Sequence, residues 1–425
     1  MTRDDVGGTA DDSDNVGGTA SRCSVDLPLH LTEKILCYLS PLVLARLAVV
    51  GKSWAALISD LLAKPAAPHL FVTTESVCRG SPSEPPHRRG FVVAVSLDGS
   101  ELSSPAIIPA RPHLADLLSQ GSRCVGATSS GLLAFHDASS SVAVVLANPA
   151  TDELRRIDVG YGLMHHQALK TTSGGGGGFF YQDAVGDLTV WRRRPAEGCD
   201  DGWSKLTVRR AAEQWATRAT TILSVASSGD GGAAYILHED GWVCKVDIAT
   251  ATPWLLSMER LPVPSLVDSL EFPSATRFCG RLPRAGTYLV ESGEEILFVR
   301  EVLEYSGNAH GFGSHPGLLV GFEVCRLDEA DRRWARLERL AGDRALFVSP
   351  ESAFSVRASE TAGCRSGCVY FVSETPRCSW RHVDGSTTTW GVYSMEDGRV
   401  LFQRPVVGGS SVGRTVARWF LPNVR

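Results

Sequence analysis

The sequence predicts a mainly β protein in which a small helical unit near the amino end precedes a β-propeller of about six blades, with seven blades also open. From about residue 70 onward, short apolar runs are separated by Gly, Asp, Asn and Pro. Many runs end in an acidic or Asn-Pro turn followed by a second run, with a repeat of roughly 50 residues. No long amphipathic helix interrupts them, which argues against a parallel α/β sheet.

The clearest predicted strands are apolar runs of five to eight residues. They lie at 91–95, 141–147, 187–191, 242–248, 295–302, 321–327 and 367–373. A repeat of about 40–50 residues built from antiparallel strands is typical of propeller blades. An open β-sandwich, or two separate β-domains, is the alternative that this pattern leaves open.

A propeller removes its sheet edges by closing on itself, commonly by lending a terminal strand to another blade. Residues 415–422 are apolar enough for this role. We therefore expect a propeller domain over 70–425 and a helical domain over 24–64. Residues 1–23 repeat VGGTA and hold few large apolar side chains, so we expect a disordered acidic tail there.

The helical unit shows helix periodicity in two places. Leu31, Ile35 and Leu39 recur at i, i+4 and i+8, and the stretch from Trp54 to Leu62 follows the i, i+3, i+4 rule. A unit of about 40 residues this apolar is too small to bury its own surface. We interpret it as a docking module that completes its core on a partner. The alternative is an ordinary three-helix bundle packed on its own domain.

The order of residues in this unit resembles the F-box, from the Leu-Pro start through an Ile-Leu pair to a Lys-Ser-Trp end. The predicted docking residues are Leu27, Pro28, Ile35, Leu36, Leu39, Leu44, Val50, Trp54 and Leu57. The resemblance implies binding to the Skp1 adaptor of cullin-RING ubiquitin ligases. Two positions depart from the usual pattern, namely His30, where an acidic residue is common, and Gly51, where Cys or another small residue is common.

The carboxyl-terminal half resembles the KIB-type propeller domain of plant F-box proteins. The resemblance is strong over about 285–425 and looser over 120–285, where NPAT at 148–151 is the best landmark. It implies a substrate-recognition subunit of a Skp1–cullin–F-box ubiquitin ligase, with the propeller holding an unknown protein substrate. The alternative is an F-box scaffold or regulator whose partner is not degraded. A propeller hydrolase or lectin-like binder lacks any sequence signal.

Composition gives the expected setting. Lys and Arg number 42 against 47 Asp and Glu, which gives a net charge of −5. The sequence has no strongly basic block, so we expect no nucleic-acid partner. The sequence has no run of eighteen apolar residues, so we expect no membrane span. The 11 cysteines are expected to be free thiols in a reducing compartment. We therefore expect an intracellular protein of the nucleus, the cytoplasm or both.

We expect a non-catalytic adaptor without a cofactor. The weak metal candidate is a set of four possible zinc ligands, Cys364, Cys368, Cys378 and His382. Their spacing is not that of a standard zinc knuckle, so we interpret these cysteines as packing residues. No nucleophile signature surrounds any cysteine. The tryptophans at strand and turn positions are interpreted first as packing between blades, and otherwise as part of a binding rim.

Overall fold

A computed structural model of the protein covers most of the β-rich part of the chain. It describes residues 32, 36, 44, 47–49, 51–63, 67–76, 87–99, 105–128, 131–137, 143–158, 169–173, 178–182, 188–193, 203–208, 222–229, 231–239, 241–247, 259–262, 286–304, 318–374, 388–406 and 413–422. The chain divides into two compact units, Met1–Leu39 and Ser40–Arg425. The predicted tail at 1–23 lies outside the described residues, and the predicted domain limits stay predictions.

The described elements are almost all strands. The helices are α1 (Lys52–Ala63) and α2 (Pro112–Ser119), with a short 3₁₀ turn at Ala358–Glu360. The strands are β1 (His69–Ser76), β2 (His87–Ala94), β3 (Ala106–Pro109), β4 (Arg123–Ala127), β5 (Leu133–His136), β6 (Ala143–Ala147), β7 (Leu154–Asp158), β8 (Leu169–Ser173), β9 (Gly178–Gln182), β10 (Leu188–Arg193), β11 (Trp203–Val208), β12 (Ile222–Ser227), β13 (Ala233–His238), β14 (Trp242–Asp247), β15 (Glu259–Pro262), β16 (Thr287–Ser292), β17 (Glu295–Glu304), β18 (Leu318–Asp328), β19 (Arg333–Arg336), β20 (Arg344–Ser349), β21 (Ser352–Arg357), β22 (Cys368–Glu374), β23 (Thr388–Ser394), β24 (Arg399–Pro405) and β25 (Gly413–Phe420). Every apolar run predicted as a strand falls on one of these strands, so those predictions are confirmed.

Within the described residues the strands form five hydrogen-bonded sheets. Three sheets have four strands, in the orders β25-β1-β2-β3, β4-β5-β6-β7 and β16-β17-β18-β19. A fourth has the order β21-β20-β22-β23-β24, and the fifth has eight strands in the order β11-β10-β9-β8-β12-β13-β14-β15. Paired strands are antiparallel except for β8 with β12 and β20 with β22, which are parallel.

The inner strands contact one another in a closed cyclic order, β25, β4, β8, β12, β16 and β21. The prediction of a mainly β propeller is thereby confirmed. The predicted six blades, with seven open, is wrong when blades are counted as separate sheets, because the strands that the structure describes form five sheets. The reason is that β8 and β12 approach closely enough to pair in parallel at Val225–Thr172 and Ala226–Ser173, which joins two four-stranded meanders into one sheet.

The carboxyl-terminal strand closes the ring. All eight residues of β25 pair with β1, from His69–Phe420 to Ser76–Gly413, so the predicted closing role of this segment is confirmed. Trp419 and Phe420 are fully buried. The Trp419 ring meets Phe347 edge to face at 5.1 Å and Trp390 at 5.9 Å. The last strand therefore ties the end of the chain to the first strand of the propeller.

The most apolar strands are those that neighbouring blades cover on both faces. All five residues of β6, Ala-Val-Val-Leu-Ala, are buried, and β5 is buried throughout. A strand with two covered faces shows a continuous apolar run instead of alternation. Outer strands such as β7 keep exposed positions, including Leu154 at 39 % exposure.

Helix α2 packs beside β2 and was not predicted. Pro112 occupies its first turn, where the missing N–H costs nothing, and Leu114, Leu117 and Leu118 form its buried side. Asp152, from the turn after β6, accepts hydrogen bonds from the backbone N–H groups of His113 and Leu114, each at 3.2 Å. A residue distant in sequence therefore supplies the cap that the helix itself lacks.

Candidate functional site

Helix α1 carries the described part of the predicted docking surface. Its first turn is closed by a 2.8 Å hydrogen bond from the Ala55 N–H to the Gly51 carbonyl. Ile58 is fully buried, whereas Trp54 and Leu57 are partly exposed. These three residues are spaced i, i+3 and i+4 and so share one apolar face, which is covered at Ile58 and still partly open to solvent at Trp54 and Leu57.

The structure separates the predicted docking residues into two groups. Leu36 and Leu44 lie in helical segments and are buried, at 0 % and 5 % exposure, so they are not accessible to a partner in this structure. Trp54 and Leu57 are the accessible members. The remaining predicted residues lie outside the described part of the chain: Leu27, Pro28, Ile35, Leu39 and Val50. That any of these residues binds Skp1 stays a prediction.

One exposed apolar side chain next to α1 was missed by the sequence analysis. Val49 is 86 % exposed, only a few residues before Trp54. An exposed large apolar residue beside two half-buried ones is a feature of surfaces that partners cover, although one such residue is common on any protein. Val49 is not among the positions that the F-box resemblance placed in the docking set.

The metal candidate is only partly described. Cys364 is partly exposed and Cys368 is buried, and both pack in the core beside Tyr370. Burial raises the pKa of the Cys364 thiol to about 12, which disfavours the thiolate that a zinc ion or a nucleophilic mechanism needs. Cys378 and His382 lie outside the described residues. Among the residues that the structure describes, no group of three or more His, Cys, Asp and Glu forms a metal-ligand set.

The tryptophans fall into the two interpretations that the sequence left open. Trp390 is buried and packs edge to face against Phe402 at 5.3 Å. Trp334 is partly exposed and contacts Phe298 at 5.8 Å, and Trp242 is also partly exposed. Packing between strands accounts for Trp390, while Trp334 and Trp242 keep some accessible surface.

A second candidate site lies at the end of the ring where β4 begins. Three side chains form what we call the arginine cluster, namely Arg123 on β4, Arg418 on β25 and Glu351 in the turn between β20 and β21. The Arg418 Nε donates to a Glu351 carboxylate oxygen at 3.2 Å, and the Arg123 guanidinium lies 3.6 Å from the other. Arg418 is almost completely buried, whereas the Arg123 side chain is 44 % exposed. Sequence analysis missed this cluster because its members are far apart in the chain.

A buried carboxyl group lies on the neighbouring sheet. The Tyr288 hydroxyl donates a 3.2 Å hydrogen bond to Glu301, whose backbone N–H also bonds the Gly286 carbonyl at 2.7 Å. The pKa of Glu301 is raised to about 7, chiefly by burial and to a smaller extent by the negative charge of Glu374, while the Tyr288 hydrogen bond opposes the rise. Glu301 therefore changes its charge close to neutral pH, which an ordinary glutamate does not.

The comparisons with known proteins identify the propeller. Residues 101–394, well over half of the chain, match the family model described as the KIB1-4 beta-propeller. The chain belongs to the KIB1-4 beta-propeller family. The resemblance to plant F-box proteins with a KIB-type propeller is thereby confirmed, and the curated relatives agree with it. No described helix has the length and apolar character of a membrane span.

Two curated relatives are F-box proteins of Arabidopsis thaliana. The F-box protein At2g26160 is 45 % identical over 53 residues, which cover 12 % of this chain and 16 % of that protein. The F-box protein At2g17690 is 34 % identical over 80 residues, which cover 18 % of this chain and 19 % of that protein. The matches thus span less than a fifth of either relative's length.

The similarity to solved structures adds no information about function. The Cps50 (Swd1) beta-propeller domain of Myceliophteria thermophila aligns over 79 % of this chain and 86 % of its own length, at 10 % identity and a TM-score of 0.33. A TM-score this low supports no statement about activity or partners. Family membership therefore rests on the match over residues 101–394.

Proposed function

We propose that this KIB1-4 propeller protein is the substrate-recognition subunit of a Skp1–cullin–F-box ubiquitin ligase. The amino-terminal unit docks on a Skp1-type adaptor, and the propeller binds a protein substrate. The protein has no chemistry of its own and needs no cofactor, because bond formation takes place on the ubiquitin-charged enzyme that the complex recruits. It works in the nucleus, the cytoplasm or both.

The match of residues 101–394 to the KIB1-4 propeller carries this proposal, because in this chain the propeller follows a segment with the F-box residue order. The similarity to two F-box proteins supports the same assignment. On α1, the partly exposed Trp54 and Leu57 offer an aromatic and an aliphatic anchor. Anchors of these types usually supply most of the binding free energy of an interface.

The test is a binding measurement between the full chain and a purified Skp1-type adaptor. Trp54→Ala with Leu57→Ala should weaken binding at least about thirtyfold, since each anchor is worth about 1–2 kcal/mol or more. Ser59→Ala, an exposed position on the same helix, is the control and should bind as the wild type does. Wild-type affinity in the double variant would contradict the docking surface. Buried Leu36 and Leu44 are unsuitable, because their replacement disturbs folding.

The alternative, a scaffold or regulator whose partner is not degraded, uses the same residues. Two measurements separate it from the ligase subunit. Co-purification of a cullin with the full chain supports the ligase, and its loss in the Trp54 and Leu57 double variant links it to α1. A partner half-life that does not change when the protein is depleted would favour the scaffold.

A further inference from the structure

We propose that four of the five sheets of the propeller do not accept ubiquitin, because every Lys or Arg position in them is an arginine. The proposal rests on the proposed function, since it concerns modification of this chain by the ligase that it would serve. It adds that the ligase spares the subunit that holds its substrate. The bound substrate, rather than the propeller, then receives the ubiquitin.

The sequence holds few lysines, and their positions are uneven. Lys and Arg together number 42, and six of these residues are lysines. They are Lys34, Lys52, Lys64, Lys170, Lys205 and Lys245. The two long stretches 65–169 and 246–425 therefore carry arginine at every one of their Lys or Arg positions.

The fold gathers these two stretches into one part of the ring. They supply β1 to β7 and β16 to β25, which form four complete sheets. The inner strands of these sheets follow one another around the ring as β16, β21, β25 and β4. We call the four sheets the lysine-free arc. The three propeller lysines lie on β8, β11 and β14, all in the remaining eight-stranded sheet.

The lysine-free arc presents arginines to solvent, where a ubiquitin-charged enzyme would meet them. The exposed fraction of the side chain is 69 % for Arg333, 74 % for Arg339 and 60 % for Arg357. Each guanidinium lies between 2.8 and 3.1 Å from a carboxylate oxygen. Ion pairs this exposed contribute little to stability, and a lysine can form them too. Folding therefore does not require arginine at these positions.

Ubiquitin transfer needs an unprotonated amine. A lysine Nζ attacks the thioester carbonyl carbon that joins the terminal carboxyl group of ubiquitin to a cysteine of the charged enzyme. The C–N bond forms as the C–S bond breaks, the cysteine leaves as a thiolate, and the amine gives a proton to the solvent. Near neutral pH about one lysine in a thousand is unprotonated, against about one guanidinium in a million, so arginine is not an acceptor.

The thiols of the lysine-free arc are poor acceptors as well. Cys124, Cys325 and Cys368 are buried. Burial raises the pKa of the Cys364 thiol to about 12, so little of it is ionised at neutral pH. Among the residues that the structure describes, the arc thus exposes neither a lysine amine nor a readily ionised thiol.

Lys245 is the propeller lysine whose side chain the structure describes, and it is engaged. Its Nζ donates to a Glu329 carboxylate oxygen at 2.5 Å and lies 5.4 Å from the centre of the Tyr235 ring. Burial lowers the pKa of Lys245, but the hydrogen bonds to Glu329 and Tyr235 outweigh this and leave the pKa raised. Because these contacts favour the protonated amine, Lys245 is a weak acceptor.

A bias in composition without any consequence is the competing explanation. If the charged enzyme never reaches the lysine-free arc, a lysine there would stay unmodified. The arginines would then have no effect on ubiquitin transfer. The two explanations differ in a measurable quantity, the ubiquitin that the arc gains when exposed arginines are replaced by lysine.

The experiment measures self-ubiquitination of the full chain with purified components. In one format the charged enzyme is recruited through a Skp1-type adaptor and a cullin-RING complex. In the other it is recruited by a RING domain fused to the amino end. The variant combines Arg333→Lys, Arg339→Lys and Arg357→Lys, and the matched control has Gln at the same three positions. Mass spectrometry locates the modified residues, and melting temperatures report on folding.

We expect the arc to stay at background in the wild type and in the glutamine control. The lysine variant should exceed that background at least about tenfold in both formats, because each replacement adds an amine where a guanidinium stood. Ubiquitin on the wild-type arc at the level of the lysine variant would overturn the proposal. So would a lysine variant that gains none in the adaptor complex while other lysines of that complex are modified.

The RING fusion separates this proposal from the proposed function. A chain that does not bind the adaptor, or a complex that transfers no ubiquitin, contradicts the proposed function, and the fusion then decides about the arc. A lysine variant that gains no ubiquitin in the fusion overturns the proposal. If the triple variant melts below the wild type, Arg339→Lys alone, at the most exposed of the three side chains, takes its place.

Discussion

Replacing Glu301 by Gln should remove a pH dependence from the stability of this propeller. Glu301 has a pKa of about 7 in the folded protein, against an ordinary value of 4.5, chiefly because burial disfavours its charged form. Between these two pH values the folded protein binds more protons at this site than the unfolded chain does. The free energy of unfolding therefore falls as the pH rises from about 4.5 to about 7, and stays low above that.

The size of the change in the free energy of unfolding follows from the pKa shift of Glu301. A rise of about 2.5 pKa units corresponds to about 3 kcal/mol at most, and partial exposure of the Glu301 side chain makes about 2 kcal/mol a reasonable expectation. Above pH 7 wild type carries this penalty and Glu301→Gln does not. The variant should then be more stable than wild type at pH 8 and close to it at pH 5.

Urea unfolding at a series of pH values measures this difference. Glu294→Gln, at an exposed turn position of the same hairpin, is the control and should follow the wild-type curve. Tyr288→Phe removes the hydrogen bond that favours the charged carboxylate, so it should move the fall in stability to higher pH. Parallel pH profiles for wild type and Glu301→Gln would refute the reasoning.

Three further pairs of substitutions test the packing of the propeller and the cap of α2. Trp419→Ala removes a fully buried indole and should lower the free energy of unfolding by about 3–5 kcal/mol. Trp242→Ala, at a partly exposed site, should lower it by less than half as much. Similar losses for the two variants in urea unfolding would contradict this difference. Gly391→Ala places a Cβ 2.5 Å from the Phe402 carbonyl oxygen and should lower the free energy of unfolding by about 1–3 kcal/mol. At Gly51 a new Cβ meets nothing within 4 Å, so the Gly51→Ala protein should melt at or above the wild-type temperature. Asp152→Ala removes the cap of α2 and should lower the free energy of unfolding by about 1 kcal/mol. Asp152→Asn keeps one acceptor oxygen and should lower it less. An unchanged melting temperature in Asp152→Ala would show that the cap contributes nothing.

The sequence predicted the strands well because of how blades pack. Strands covered on both faces need apolar residues at every position, so a run such as 143–147 is visible without any structure. The closing strand could be predicted for a related reason, since a ring needs a terminal partner and residues 415–422 were apolar and unassigned. The blade count was not predictable in the same way. Parallel pairing of β8 with β12 depends on how close two inner strands come, which local periodicity does not encode.

The candidate sites were harder to predict than the fold. The F-box resemblance placed Leu36, Leu44, Trp54 and Leu57 in the docking set but could not say which of them the chain itself covers, and the structure buries the first two. The arginine cluster had no local signal, since its members come from three strands or turns that meet only when the ring closes. Helix α2 was missed because it is short and its cap comes from a turn after β6.

The position of β25 has a consequence for biosynthesis. Its partner β1 leaves the ribosome long before β25, which lies more than three hundred residues later in the chain, is translated. Until then β1 presents an unpaired backbone edge that other chains can join. A nascent chain, or one truncated before β25, is therefore exposed to aggregation in a way that the paired sheet is not, and chaperone engagement should last until β25 has been made.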